Sequence, residues 1–157
     1  MKADADLIAR LRQVIPFRFL KERALIKFIT SCRSREFAPG KFIMRQGDSQ
    51  DLAVYILLSG QVEVVDCRSG APVRTNTIEP NHYFGEWEVI FGVPRVFGIR
   101  AMETSQCLVF PGSVLMKLLD TEVAFAQALS GILRERQGIF RAFELFSAEL
   151  ARGVGYG

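Results

Sequence analysis

Residues 53–65 read AVYILLSGQVEVV. Two apolar runs, Ala53–Leu58 and Gln61–Val65, flank Ser59-Gly60, and both are rich in β-branched and aromatic side chains. A short turn between such runs reads as two antiparallel strands joined by a tight connection, with Gly60 supplying the positive φ the turn needs. The same punctuation recurs on either side, at Pro39-Gly40, Gly47-Asp48, Ser69-Gly70 and Pro80-Asn81. Turn signals at intervals of about 8–12 residues from Arg35 to Val109 indicate an antiparallel sandwich or barrel, because βαβ units would need a helical pattern between strands.

Outside this region the period of the apolar residues changes. Leu7, Ile8 and Leu11 share one face of a short helix, and after the break at Pro16 the set Leu25, Phe28 and Ile29 recurs at helical spacing. Past Pro111-Gly112 the helical period returns, first over Ser113–Leu119 and then from Phe125 through Leu129, Ile132, Leu133, Arg136, Ile139, Phe140, Phe143 and Phe146 to Leu150. The expected class is therefore mainly β with flanking helices (α+β): N-terminal helices over about 4–31, strands over about 35–111, and C-terminal helices over about 113–150. All 157 residues are expected to form a single domain.

Composition removes several classes of function. Twenty basic residues against 17 acidic ones leave a net charge of +3, too mild for nucleic-acid binding by counterion release. The densest basic set, Arg10, Arg12, Arg18, Lys21, Arg23 and Lys27, alternates with apolar residues and reads as a solvated helix face. Cys32, Cys67 and Cys107 are unrelated in spacing and His82 is the sole histidine, which argues against a metal site and a disulfide framework and fits a reducing cytoplasm. Cys67 and Cys107 are expected inside apolar strands. No stretch reaches the roughly 20 apolar residues of a membrane span. With no nucleophile and base at recognisable spacing, a catalytic centre has nothing to assemble from, and a non-catalytic binding domain is expected.

The chemistry concentrates in residues 84–98, FGEWEVIFGVPRVFG. Gly85 allows close backbone approach, and a helical turn beginning at Glu86 would aim free N–H groups at an anion. Arg95, at the far end of the loop, would add a bidentate fork for the same anion. A glutamate at the mouth of such a phosphate cradle repels the phosphate but can accept hydrogen bonds from adjacent sugar hydroxyls. A phosphate beside a vicinal hydroxyl points to a nucleotide.

Three segments, in order, give the chain a family resemblance: Phe37–Asp48 (FAPGKFIMRQGD), Val54–Val64 (VYILLSGQVEV), and Phe84-Gly85-Glu86 through Pro94-Arg95. Over residues 14–150 the chain resembles the cyclic nucleotide-binding domains of the protein kinase A regulatory subunit, the catabolite activator protein and cyclic-nucleotide-gated channels. The resemblance implies a jelly-roll-like antiparallel β-roll. It implies that Glu86 takes the ribose 2′-hydroxyl, that Arg95 pairs with the cyclic phosphate, that Gly85 lets the loop close, and that backbone N–H groups at Glu88, Val96 and Phe97 contribute. The C-terminal helix would act as a lid, with Arg136, Phe140 and Phe143 as contacts to the ligand, and the same helix could serve as a homodimer seam.

Trp87-Glu88-Val89 stands where the family usually has leucine-alanine-leucine, and Val96-Phe97-Gly98 stands where it has small residues and then threonine or serine. Trp87 is expected to fill a core position. Glu88 is expected to point to water, where it would stabilise the helical turn through its N-terminal dipole. Loss of the hydroxyl at Gly98 favours cAMP over cGMP as ligand. The expectation is a cytoplasmic cAMP-sensing regulatory module, without a cofactor, that acts on an attached or partner effector. The alternative is a degenerate roll that binds no cyclic nucleotide and serves as a protein-protein or dimerisation module. Both a stand-alone module and a piece of a longer protein fit the sequence.

Overall fold

A computed structural model describes residues 1–50 and 52–136. Two four-stranded antiparallel sheets carry the fold, with helices on the outer face of one of them. The first sheet has the order β1 (Arg33–Phe37), β8 (Ser105–Pro111), β3 (Ala53–Ser59), β6 (Tyr83–Phe84). The second has the order β2 (Phe42–Met44), β7 (Gly98–Ala101), β4 (Val62–Asp66), β5 (Val73–Ile78). This is the β-roll with flanking helices that the sequence led us to expect.

The continuous apolar run of β3 is explained by burial on both of its faces. Its odd members Tyr55 and Leu57 face the second sheet, in a core with Met44, Val62, Phe84 and Ile99. Its even members Val54, Ile56 and Leu58 face the helices, in a second core with Phe17, Phe28, Phe110 and Phe125. The neighbouring β8 splits likewise, with Cys107 and Val109 inward and Leu108 and Phe110 toward the helices. Aromatic packing fastens that second core: the rings of Phe28 and Phe110 meet edge to face at 4.8 Å, and Phe17 meets Phe125 at 5.2 Å. Gly60 takes φ 91°, and a Cβ there would lie 2.4 Å from Ser105 Oγ, so the turn between β3 and β4 admits no side chain.

The helices are α1 (Ala5–Leu11), α2 (Glu22–Thr30), α3 (Glu86–Phe91) and α4 (Gly112–Thr121), with a 3-10 turn at Phe17–Phe19. A further helix, α5, occupies residues 123–136. Phe140 and Phe143, the lid and base candidates, and most of the expected dimer seam lie outside the described residues. Two local expectations are corrected. Cys67 lies just past β4, half-buried in a turn where its N–H donates to Gln46 Oε1 at 2.7 Å, because Asp66 and Arg68 close the strand there with an ion pair. Trp87 does not fill the core: it is half-buried and packs at 4.4 Å against Phe91, itself 52% exposed. Positions i and i+4 share one face of α3, and here that face is the outer one.

Candidate functional site

Between the sheets, at the end where β6 leads into α3, lies a cavity of about 270 Å³. Its apolar wall comes from Met44, Val64, Ile78 and Ile99, one from each strand of the second sheet, and its polar end from Gly85, Glu86, Glu88 and Arg136. Trp87 and Phe97 complete the rim. Five residues expected at a ligand site, Gly85, Glu86, Glu88, Phe97 and Arg136, are thereby brought together from 50 residues of sequence.

Gly85 is the pivot of this arrangement. It has φ 91° and precedes the first turn of α3, and a Cβ would meet Ala53 O at 3.0 Å, Arg95 Nη1 at 3.2 Å and Met44 Sδ at 3.3 Å. Conformation and space both demand glycine. Gly92, at φ 63°, ends α3 and sends the chain back through Val93 to Arg95. The returning loop is pinned to the turn after β2: Arg95 N–H donates to Asp48 O at 2.8 Å, Gly47 N–H donates to Arg95 O at 2.8 Å, and Gln46 Nε2 donates to Val96 O at 3.0 Å.

The guanidinium of Arg95 is turned into the protein. Nη1 donates to Gly85 O at 2.7 Å and to Glu88 Oε1 at 2.9 Å, and Nη2 donates to Ala53 O at 2.5 Å. The Arg95 and Glu88 side chains are only 3% and 4% exposed. The outward, solvated Glu88 expected from the sequence is therefore overturned: its carboxylate is buried against Arg95, because the guanidinium offers a charge-assisted partner that water at the surface would not match. Glu88 is among the residues that line the cavity and Arg95 is not, so the guanidinium is spent on its own chain. Val96 does not line the cavity either; its carbonyl is taken by Gln46.

Glu86 has a different partner. Its Oε1 accepts from Nη1 of Arg136, on α5, and the Arg136 guanidinium carbon lies 5.1 Å from the centre of the Tyr83 ring. Burial pushes the Glu86 carboxyl above its usual range, against the opposing pull of Arg136, with nearby Glu88 adding to the rise. Burial also raises the Tyr83 phenol, and the Glu86 charge raises it further. The Tyr83 hydroxyl is buried without a hydrogen-bond partner among the described residues. Two acids thus line one end of the cavity, Glu86 paired with Arg136 and Glu88 paired with Arg95.

Gln46, Asp48 and Tyr83 were not anticipated as parts of the site. The first two lie in the quoted segment Phe37–Asp48, whose resemblance was visible without a role for them, and Tyr83 precedes Phe84 in a strand where any aromatic reads as core. Asp48 and Gln46 act through backbone and amide hydrogen bonds, which leave no mark in charge or hydropathy patterning.

Comparison with known proteins bears on the family and the fold. The family model described as the cyclic nucleotide-binding domain matches residues 34–122. The cAMP-dependent protein kinase type II regulatory subunit of Drosophila melanogaster is 31% identical over 104 residues, which are 66% of this chain and 26% of that protein. The chain thus spans about a quarter of that relative's length. Among solved structures, the sensor domain of the transcriptional regulator DNR from Pseudomonas aeruginosa superimposes with a TM-score of 0.73 at 23% identity, covering 83% of this chain and 89% of that one. The regulatory domain of Toxoplasma gondii PKA, solved with cAMP, gives 0.68 at 19% identity, covering 82% of this chain and 49% of that one.

Proposed function

Because the chain belongs to the cyclic nucleotide-binding domain family, we propose that it is a regulatory sensing module whose cavity takes a cyclic nucleotide, cAMP in preference to cGMP. In this reading Glu86 accepts from the ribose 2′-hydroxyl and Arg95 receives the phosphate once Glu88 has released it. The N–H groups of Glu88, Val96 and Phe97 complete the phosphate loop. Ligand occupancy is carried to an effector by the C-terminal helix, in a cytoplasmic setting.

The observation that carries this proposal is the hydrogen bond from Arg136 to Glu86. It joins the residue in the ribose position to α5, so a ligand that takes over Glu86 must loosen α5. A ligand can shift a conformational equilibrium only through a contact that differs between the two states, and this bond is such a contact. Trp87, the single tryptophan, lies on the rim of the cavity and offers an intrinsic fluorescence signal for occupancy.

A second reading is favoured by the Glu88–Arg95 pair. If the carboxylate holds the guanidinium permanently, the roll binds no cyclic nucleotide and its surfaces serve protein-protein contact or dimerisation instead. Calorimetric titration with cAMP and cGMP separates the two. The sensing reading expects heat from cAMP that is lost in Arg95→Ala, whereas folded wild-type protein giving no heat with either nucleotide would sink it.

A further inference from the structure

The six basic residues of the N-terminal third do not form one face. Arg10 Nε donates to Asn81 Oδ1, Arg12 donates to the carbonyls of Arg18 and Leu20, and the Arg18 guanidinium lies 5.7 Å from the Phe19 ring centre. These three serve the fold. Lys21, Arg23 and Lys27 instead line a separate groove of about 530 Å³, joined from the opposite side by Lys117. All four are exposed. Among the described residues, the lining of this groove carries these four cations and one acid, Glu122.

The groove is built by two helices. From α2 and the residues flanking it come Lys21, Ala24, Lys27, Phe28 and Ser31, with Arg23 at the edge of that face; from α4 and the residue after it come Val114, Lys117, Leu118, Thr121 and Glu122. Both sets follow the i, i+3, i+4, i+7 spacing of one helix face. The floor, Phe28 and Leu118, is continuous with the helix-side core, and Ala24 and Val114 pack partly buried against it. Two helix faces with an apolar floor and a basic rim form a receptor for a third helix, whose ridges would seat between theirs.

We propose that this groove docks an amphipathic helix of a partner protein, with apolar residues toward Phe28, Ala24, Val114 and Leu118 and acidic residues on both flanks toward Lys21, Arg23, Lys27 and Lys117. Charge complementarity selects an acidic partner and sets its register. A lipid surface fits less well, since membrane-surface elements present their apolar side chains outward, whereas the apolar residues here line a groove between two helices. A nucleic acid would have no use for the apolar floor.

The test is selection of a displayed library of 16-residue helices, with a fixed apolar face and randomised flanks, against the whole chain without nucleotide. It is followed by fluorescence anisotropy of the selected peptides. The enriched flanks are expected to be acidic. Binding should weaken by about tenfold or more in the exposed double variant Lys27→Glu with Lys117→Glu. It should weaken also in Val114→Arg, which keeps the positive charge and blocks the floor. Circular dichroism and melting establish that both variants are folded. Flanks without acidic bias, or binding unchanged in both variants, would overturn the proposal. So would co-sedimentation with phosphatidylserine vesicles, lost in the double variant, in the absence of any enriched peptide. Nucleotide binding has no part in these readouts, so the cyclic-nucleotide proposal can fail while this one stands.

Discussion

Nη1 of Arg95 donates to Oε1 of Glu88 at 2.9 Å, and Glu88, unlike Arg95, belongs to the lining of the cavity. An anion approaching Arg95 must come close to Glu88. At about 6 Å and an effective dielectric near 20, the repulsion is about 3 kcal/mol, or roughly 100-fold in affinity. Replacing Glu88 by Gln is therefore expected to tighten cAMP binding about 100-fold by calorimetry. The free protein should melt earlier, since Arg95 loses its buried counter-charge, and cAMP should restore the loss. Affinity within twofold of wild type would mean that Glu88 stays clear of the ligand.

The ribose role proposed for Glu86 can be isolated with a ligand analogue. The 2′-deoxy form of cAMP is expected to bind the wild type about tenfold more weakly than cAMP, the worth of one charge-assisted hydrogen bond. In Glu86→Gln that preference should shrink toward nothing while both ligands weaken. An undiminished preference in the variant would place the 2′-hydroxyl elsewhere.

Gly85 offers a test of the scaffold. Alanine at φ 91°, with its Cβ 3.0 Å from Ala53 O, is expected to lower stability by about 1–3 kcal/mol. Urea titration would register this as a lower midpoint with an unchanged slope. An equal midpoint would show that the turn before α3 can be rebuilt without cost.

The buried Tyr83 hydroxyl has no partner among the described residues. Its removal in Tyr83→Phe is expected to raise the stability of the free protein by about 1 kcal/mol, a rise of about 2–4 °C in melting temperature. A fall in melting temperature would reveal a hydrogen bond that the free hydroxyl makes.

Acid should act on Glu63 and Glu86 with opposite sign. Burial of Glu63 opposes its ionisation, but hydrogen bonds from Arg74 and Arg100, on the strands either side, outweigh it and hold the carboxyl below its usual range. A folded-state value below the unfolded one gives stability present above the ordinary carboxylate range and lost as pH falls through the lowered value. Glu86, raised by burial, carries a cost at neutral pH that fades as pH falls through its raised value toward the ordinary one. Glu63→Gln should thus be less stable than wild type at pH 7, by about 1–2 kcal/mol, with the gap closing below about pH 4. A gap independent of pH would rule out the ionic part of this account.

The strands were legible because burial leaves a period. The run AVYILL is apolar throughout, as a strand between two cores must be, and turn glycines bound it. The cassette was legible because Gly85, Glu86 and Arg95 differ in chemistry from everything around them. The direction of Glu88 was not. Charge and spacing put it within reach of Arg95, but only Gly92 in its left-handed conformation folds the loop back so that the two side chains face one another. Trp87 misled for a related reason: α3 has only six residues, too few for its apolar positions to reveal which face is covered.

A guanidinium already held by its own chain turns capture of a ligand into an exchange. In the proposed reading Glu88 lets go before an anion takes its place, so the free energy of the internal pair is subtracted from that of the ligand contact. The loop around Arg95 is meanwhile held in shape by Asp48, Gly47 and Gln46, so little ordering remains once the exchange has happened.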